Sequence, residues 1–359
     1  MKSFVIRILL TLNILIIIGM LLTGYAYVLD PRTWDFLALA GYAFPFFALA
    51  NVAFIAVWVL LRKRCLLVPV MGLVAAYVPM MKYSPVNLSK ETPDGCLKVM
   101  TFNTWQLGTT EEEQTHEEIV QARQEMLRYI AEAECDVVCL QEVSMTRWIR
   151  QDFDTIVKPV MPYMEVREWC GNKMMILSKY PITKCERIEY KSVANFSYAF
   201  YLDVKGRELI VLNNHLETNH FSTEEKQDFG RMVKGGMERE EARGNSFSVI
   251  SKLTDAAKIR AAQADAVATF VSMHKGRAMI VCGDFNDIPL SYAANTMASS
   301  LTDCYSATAN GPGFSYSKNG MYVRIDNMLC SQELTPYGCH IDKSCRLSDH
   351  YPLVCWLEM

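Results

Sequence analysis

Among its 12 cysteines the chain has no CxxC pair, so a zinc ribbon is not a tenable reading of them. It has no GxxxxGK[ST] loop and no Gly-x-Ser-x-Gly elbow, which removes P-loop and nucleophile-elbow chemistry. Internal repeats and low-complexity tracts are missing too. Nor is there a basic excess: the net charge is −3 over 359 residues, and beyond about Ser84 there are 29 basic residues against 37 acidic ones. Non-specific duplex binding usually shows a basic face, so this balance lowers the odds of a DNA substrate while leaving room for a local basic strip.

Charge is scarcest at the amino end. Residues 4–28 and 36–61 are almost wholly apolar, and each run exceeds the roughly 20 residues that cross a bilayer. A third run, 65–81, is interrupted by Pro69 and Pro79 and sits at the short limit, so it reads as a third crossing or as a re-entrant or interfacial piece. No small-x-small cleavage site appears around Thr23-Gly24-Tyr25-Ala26-Tyr27, and a second run follows at once, which favours an anchor over a signal peptide. Lys2, Arg7, Arg62, Lys63 and Arg64 flank one side, Arg32 and Lys82 the other. The positive-inside rule then places the amino terminus in the cytoplasm, and three crossings place everything after Met81 outside, in the periplasm of a Gram-negative cell. The near absence of charge inside these runs shows no ion or proton path, which argues against transport as the function. The reading is a multi-pass anchor over 1–84 and a soluble domain over 85–359.

The soluble part alternates strands and helices. Apolar runs at 97–102, 136–140, 174–177, 278–282 and 353–357 read as strands, and 198–204 with 208–212 as a hairpin around Lys205-Gly206. Residues 117–134 and 255–273 have helical spacing. Cys139, Cys282, Cys330 and Cys355 interrupt the strand-like runs and read as small buried hydrophobes. The polar stretch 221–251 reads as a solvated excursion or as a substrate-selecting lid, because it leaves directly after His215.

Six strand termini deliver an acid, an amide or an imidazole. Asn103 ends the first, Glu142 follows the second, and His215 closes the hairpin. Asp284 and Asn286 follow the 278–282 run, Asp326 opens another, and Asp349-His350 precede the last. Singly each is weak: Asn103 caps turns well, Glu142 suits a surface, and Asp284-Phe285-Asn286 suits an Asx-turn. Random decoration of strand ends would include Lys, Ser and Thr more often. An acid–imidazole pair with further acids and an amide is what metal-assisted phosphoester hydrolysis requires.

Asn103 in Thr101-Phe102-Asn103, Gln141-Glu142, Asn213-Asn214-His215-Leu216, Gly283-Asp284-Phe285-Asn286, Arg324-Ile325-Asp326 and Ser348-Asp349-His350-Tyr351-Pro352 occur in one order. That order resembles the endonuclease/exonuclease/phosphatase superfamily, with its deoxyribonuclease I-like, exonuclease III-like and sphingomyelinase-like branches, across residues 97–357. The resemblance implies an α/β fold, a four-layered α/β/β/α sandwich, behind the membrane helices.

It also implies roles. Glu142 is the metal ligand, with Asn103 and Asp349 beside it, and hard oxygen donors suit Mg²⁺ with Mn²⁺ as a substitute. His350 is the general base and Asp326 orients it. Asp284 and Asn286 position water and phosphate, and His215 stabilises developing charge. Lys173, or Asn172, stands where relatives often carry a phosphate-facing aromatic or basic residue. The implied partners are a phosphoester substrate (lipid headgroup, small molecule or nucleic acid) and the membrane; no protein partner is implied. The expected function is a membrane-anchored phosphodiesterase or phosphatase, with a membrane-anchored nuclease as the alternative and a non-catalytic binding module on the same fold as the third reading.

Overall fold

Period-two alternation decides the architecture. The computed structural model describes residues 2–359 other than 62–63, 109–113, 234–235, 237–238 and 319, so Arg62, Lys63 and Gly235 lie outside the described residues. The strands are β1 (Leu97–Asn103), β2 (Val137–Gln141), β3 (Tyr163–Trp169), β4 (Asn172–Ser178), β5 (Ile182–Ile188), β6 (Phe196–Val204) and β7 (Arg207–His215). They continue with β8 (Met279–Asp284), β9 (Thr302–Asp303), β10 (Tyr316–Lys318), β11 (Met321–Val323), β12 (Asp326–Cys330), β13 (Thr335–Ile341) and β14 (Leu353–Glu358). One six-stranded sheet runs β13-β14-β1-β2-β4-β3 and the other β5-β6-β7-β8-β12-β9, while β10 and β11 pair separately.

Successive side chains point to opposite faces of a strand, so each central strand feeds two cores. Leu97 and Val99 of β1, Val211 of β7, Ile280 and Cys282 of β8 and Met328 of β12 meet between the sheets. Met100 and Phe102 point outward to Met126 and Ile130 of the His116–Glu132 helix and Phe153 of the Arg147–Ile156 helix. Ile210, Leu212, Met279 and Val281 point to Ala264 and Val267 of the Arg239–Met273 helix. Helix, sheet, sheet, helix is the four-layered sandwich expected from the sequence. The 12 cysteines are all free, and Cys139, Cys282, Cys330 and Cys355 lie in the inter-sheet core as small apolar side chains.

The polar stretch after His215 is helical, as Thr223–Val233 and then Arg239–Met273, which starts 16 residues before the helix expected at 255. Its root is fixed by buried polar groups. Arg260 is fully buried, with Nε 3.0 Å from Asp287 Oδ2 and Nη1 donating to the Glu217 carbonyl and to Asn219 Oδ1 at 2.9 Å. Removing one partner of such a pair strands a buried charge. Arg260→Ala is therefore expected to cost about 3–5 kcal/mol of folding stability, read as a lowered midpoint in chemical unfolding.

At the amino end, Phe4–Val28 and Pro31–Leu60 are helical stretches long and apolar enough to cross a membrane. Arg64–Ala75 and Tyr77–Tyr83 are two helices bent by 62°. The bend has an identifiable cause: Pro79 has no N–H to offer the Ala75 carbonyl four residues back. The Tyr25 hydroxyl donates to that carbonyl instead, at 2.9 Å. Buried amides tie the apolar helices together, with Asn13 Nδ2 donating to Asn51 Oδ1 (3.1 Å), Trp58 Nε1 to Asn13 Oδ1 (3.0 Å) and Asn51 Nδ2 to the Pro69 carbonyl (3.0 Å). Such contacts satisfy polar groups that would otherwise be stranded among apolar side chains.

These helices pack directly onto the sandwich. Ile288 and Leu290 share a core with Met20, Phe44, Ala48 and Ala76. A Cβ at Gly41 would sit 2.5 Å from the Leu290 carbonyl, so only glycine permits that approach. Arg32 Nη1 pairs with Asp265 Oδ2, and Lys258 Nζ with Asp35 Oδ1, both at 2.7 Å.

Candidate active site

The alternation that fills the inter-sheet core also ends it. Val99, Thr101 and Asn103 lie on one face of β1; Val211, Asn213 and His215 on one face of β7; Ile280, Cys282 and Asp284 on one face of β8. Each apolar series terminates in a polar residue at the same rim. Asp326 starts β12 directly opposite Asp284 in the antiparallel register, and His215 is the parallel partner of Asp284.

Two buried devices align the sheets there. Asn213 Nδ2 donates across the inter-sheet space to the carbonyls of Leu140 (3.1 Å) and Met175 (3.0 Å), while Gln141 Nε2 donates to Asn213 Oδ1 at 2.6 Å. Gly283 lies beside Asn214 with φ 133°, and a Cβ there would fall 2.0 Å from the Asn214 carbonyl. The glycine before Asp284 is thus required by close strand packing.

Backbone in the left-handed region turns side chains into the rim. Glu142 has φ 49° and Asn286 φ 53°, as do three consecutive residues after β1: Trp105 (45°), Gln106 (56°) and Leu107 (61°). Such residues persist only where the surroundings hold them. Here Gln106 N donates to the Glu142 carbonyl at 2.8 Å, and Thr104 Oγ1 to the same carbonyl at 2.9 Å.

Four acids, two amides and two imidazoles converge. His350 Nδ1 lies 2.8 Å from Asp326 Oδ2, and its Nε2 lies 3.8 Å from Asp284 Oδ2. The amides of Ile325 and Asp326 both donate to Ser315 Oγ at 3.1 Å, fixing the start of β12. Tyr316 packs edge-on to His350, with centroids 5.1 Å apart. Asn103 Nδ2 donates to Glu142 Oε1 (3.1 Å) and to Asp284 Oδ2 (2.9 Å). Its Oδ1 accepts from Trp105 N at 3.1 Å, so the amide braces two acids with its nitrogen; ligation through its oxygen needs the amide turned over. Asn286 N donates to Asp284 Oδ1 at 2.8 Å and its Nδ2 to the Leu216 carbonyl at 3.0 Å.

His215 Nε2 stands 3.5 Å from Glu142 Oε1 and 3.9 Å from Asp284 Oδ2, and among the described residues neither ring nitrogen has a hydrogen-bond partner. Burial raises the Asp284 carboxyl above the ordinary range, and the Asp326 charge adds to it. Burial likewise raises Asp349. Burial alone would lower His350, but the charges of Asp326 and Asp284 outweigh it and push the imidazole up to about 10.

This donor set suits a hard divalent cation. Among the described residues no lysine or arginine pairs with the four crowded carboxylates, and buried atoms of His215 and Asp326 Oδ1 lack partners. Asp284, Asp326 and His350 offer atoms within 4.8 Å of one another. In that trio, however, Asp326 Oδ2 and His350 Nδ1 already satisfy each other. We read it as a base, the acid that orients it and a water-positioning acid, and leave Glu142 with Asp349 as the open oxygen ligands. Glu142, Asp284, Asn286, Asp349 and His350 line one cavity of ≈ 690 Å³, with Asn103, His215 and Asp326 buried behind it.

The structure does not bring Lys173 to this cavity. Its Nζ pairs with Glu168 Oε2 at 3.1 Å across the β3–β4 edge, and Asn172 donates to the Ala194 carbonyl. Sequence reasoning missed Asn213, Ser315, Tyr316 and the Trp105–Leu107 turn. Only Asn213 carried a signal, a second amide on the strand face that ends in His215.

A profile of the endonuclease/exonuclease/phosphatase family matches residues 100–350. The chain belongs to that family. Solved structures of similar fold include an endonuclease/exonuclease/phosphatase family protein from Leptotrichia buccalis, 16% identical with a TM-score of 0.51, over 73% of this chain and 100% of that one. They also include the human Nocturnin catalytic domain with bound sulfate (18%, TM-score 0.50, 76% and 96% covered) and truncated TDP2 of Caenorhabditis elegans (15%, 0.50, 74% and 98%). At these identities the likeness concerns the sandwich alone. Residues 6–83 match a profile described as a domain of unknown function. Among curated proteins none matches the chain. Family members are hydrolases of phosphoester bonds, and this chain is a phosphoesterase-type protein by descent.

Proposed function

We propose that the protein is a membrane-anchored, divalent-metal-dependent phosphoester hydrolase, with residues 1–84 as the anchor and 85–359 as the catalytic domain. The observation that carries this is the His350–Asp326 pair facing Asp284, Asn103 and Glu142 within one rim. Glu142 and Asp349 would hold a Mg²⁺ or Mn²⁺, which would supply positive charge to the phosphoryl oxygens. Asp284 and Asn286 hold the attacking water. The acids around it hold the His350 imidazole protonated in the metal-free site; with their charge offset by a bound cation its Nε2 would be free to accept the water's proton as the O–P bond forms, and the opposite P–O bond breaks toward the leaving group. Asp326 fixes the imidazole tautomer through Nδ1. His215 turns its ring toward the oxygen that gains charge.

If the bent pair Arg64–Ala75 and Tyr77–Tyr83 makes a third crossing, the positive-inside rule puts the catalytic domain on the outer side of the bilayer, periplasmic in a Gram-negative cell. The acidic balance and the largely apolar walls of the cavity favour a lipid headgroup or other small phosphoester over duplex DNA. The full chain is expected to hydrolyse bis(p-nitrophenyl) phosphate with Mg²⁺ or Mn²⁺, and excess EDTA is expected to remove the activity until the metal is restored. Turnover that persists undiminished in EDTA would end the metal-dependent reading; cutting of plasmid DNA alone would reverse the substrate preference.

A further inference from the structure

The cavity that reaches the acids is far larger than a phosphate needs, and three separate parts of the chain wall it. Trp105, Tyr316 and the acidic rim form its floor. The anchor supplies Tyr42, Pro45 and Phe46. The segment after His215 supplies Phe221, Lys226, Phe229, Val249 and Leu253. Phe46 belongs to Pro31–Leu60, one of the two stretches long and apolar enough to cross a membrane, and it is 74% exposed. The same ring therefore lines the cavity and the apolar outer surface of the anchor, so the cavity opens sideways onto that surface.

Polarity is divided within this space. Acids, an amide and an imidazole come from the strand rim, whereas the Pro45 and Phe46 side chains come from the anchor and Phe229 and Leu253 from the helices after His215. Lys226 of the facing helix lines the cavity, and its charge reaches Asp349 and draws that carboxyl down against the effect of burial. The helix that carries it is held by Glu225, whose Oε2 lies 2.6 Å from Lys252 Nζ and accepts from Ser222 N at 2.8 Å. That hydrogen bond to Lys252, together with the backbone bond, holds the Glu225 carboxyl down at about 2. A small polar phosphoester leaves the apolar walls unmatched, whereas an amphipathic phosphoester matches both kinds of wall.

We propose that this cavity is an acyl-chain subsite joined to the phosphate site, and that the substrate is a membrane phospholipid. It enters between Phe46 and the Thr223–Val233 helix, keeps its chains against Phe46, Phe229 and Leu253, and presents its phosphoester to Asp284 and His350 with Lys226 on a phosphoryl oxygen. This rests on the hydrolase reading above.

The test uses the full chain in nanodiscs and p-nitrophenyl alkyl phosphodiesters with two-, six- and ten-carbon chains, kept below micelle formation. kcat/KM is expected to rise about tenfold or more from the shortest to the longest, because each methylene leaves water for an apolar wall. Phe46→Asp and Leu253→Asp are expected to flatten that rise. A flat series in the unaltered protein overturns the subsite while leaving the hydrolase reading intact; no p-nitrophenol from any of them with Mg²⁺ or Mn²⁺ overturns the hydrolase reading instead. A second measurement needs no turnover. In EDTA, a phospholipid with a diazirine on its acyl chain is expected to label residues 41–46 and 221–253, and labelling confined to the outer faces of the anchor helices would overturn the subsite.

Discussion

Replacing His350 with alanine is expected to lower kcat for phosphodiester hydrolysis by about 10²–10⁴-fold, with the protein still folded. The imidazole is the one proton acceptor at the rim that is oriented by a buried acid, through the 2.8 Å contact with Asp326 Oδ2. Tyr316 packs against its ring and restricts its rotation. Asp326→Asn keeps the shape but favours the wrong tautomer, so it is expected to lose most of the same rate while metal binding, followed by thermal shift, is retained. A His350→Ala protein as active as the unaltered one would remove this residue as the base.

The second large effect has two opposite signs. Asp284→Asn is expected to lower kcat by about 10²–10³-fold, as for loss of a preorganised electrostatic partner. The same change is expected to stabilise the metal-free protein by about 0.5–2 kcal/mol, a few degrees in Tm. Asp284 is almost completely buried between Glu142, Asp326 and Asp349, and burial already raises its carboxyl above the ordinary range. An amide removes that repulsion and still accepts from Asn286 N through its remaining oxygen, and the Asn103 amide turns over so that its oxygen accepts from the new NH₂. The check is paired: steady-state kinetics with Mg²⁺, and unfolding in EDTA. A loss of both rate and stability would mean that Asp284 is a structural acid.

Much of this rim was legible in the chain because it obeys one local rule. A strand whose alternate residues are apolar delivers a terminal side chain to the edge of the core it fills, as Asn103, His215 and Asp284 do at the last residue of their strands and Asp326 at the first of its own. His350 lies outside any long strand but is marked by its neighbours Asp349 and Pro352. Other features were not legible. The β3 and β5 strands lie at sheet edges and are only partly buried, so their sequences lack clean alternation. Left-handed backbone at Trp105, Gln106 and Leu107 is imposed by contacts with the Glu142 carbonyl, and none of these residue types asks for it. Lys173 suited phosphate by charge, but charge says nothing of direction, and Glu168 across the β3–β4 edge takes it. The helices Thr223–Val233 and Arg239–Met273 pack Phe229, Val249 and Leu253 over the cavity, which polar composition conceals.

The direct seating of Gly41, Phe44 and Tyr42 on the 287–292 loop has a practical consequence for anyone purifying this protein. Cutting the chain near residue 85 would keep every acid and imidazole but uncover Ile288 and Leu290 and remove one wall of the cavity. Such a fragment is expected to self-associate through that bared patch and to treat short and long esters alike. Its preferences would describe a mutilated pocket; those of the intact protein are best measured in a bilayer.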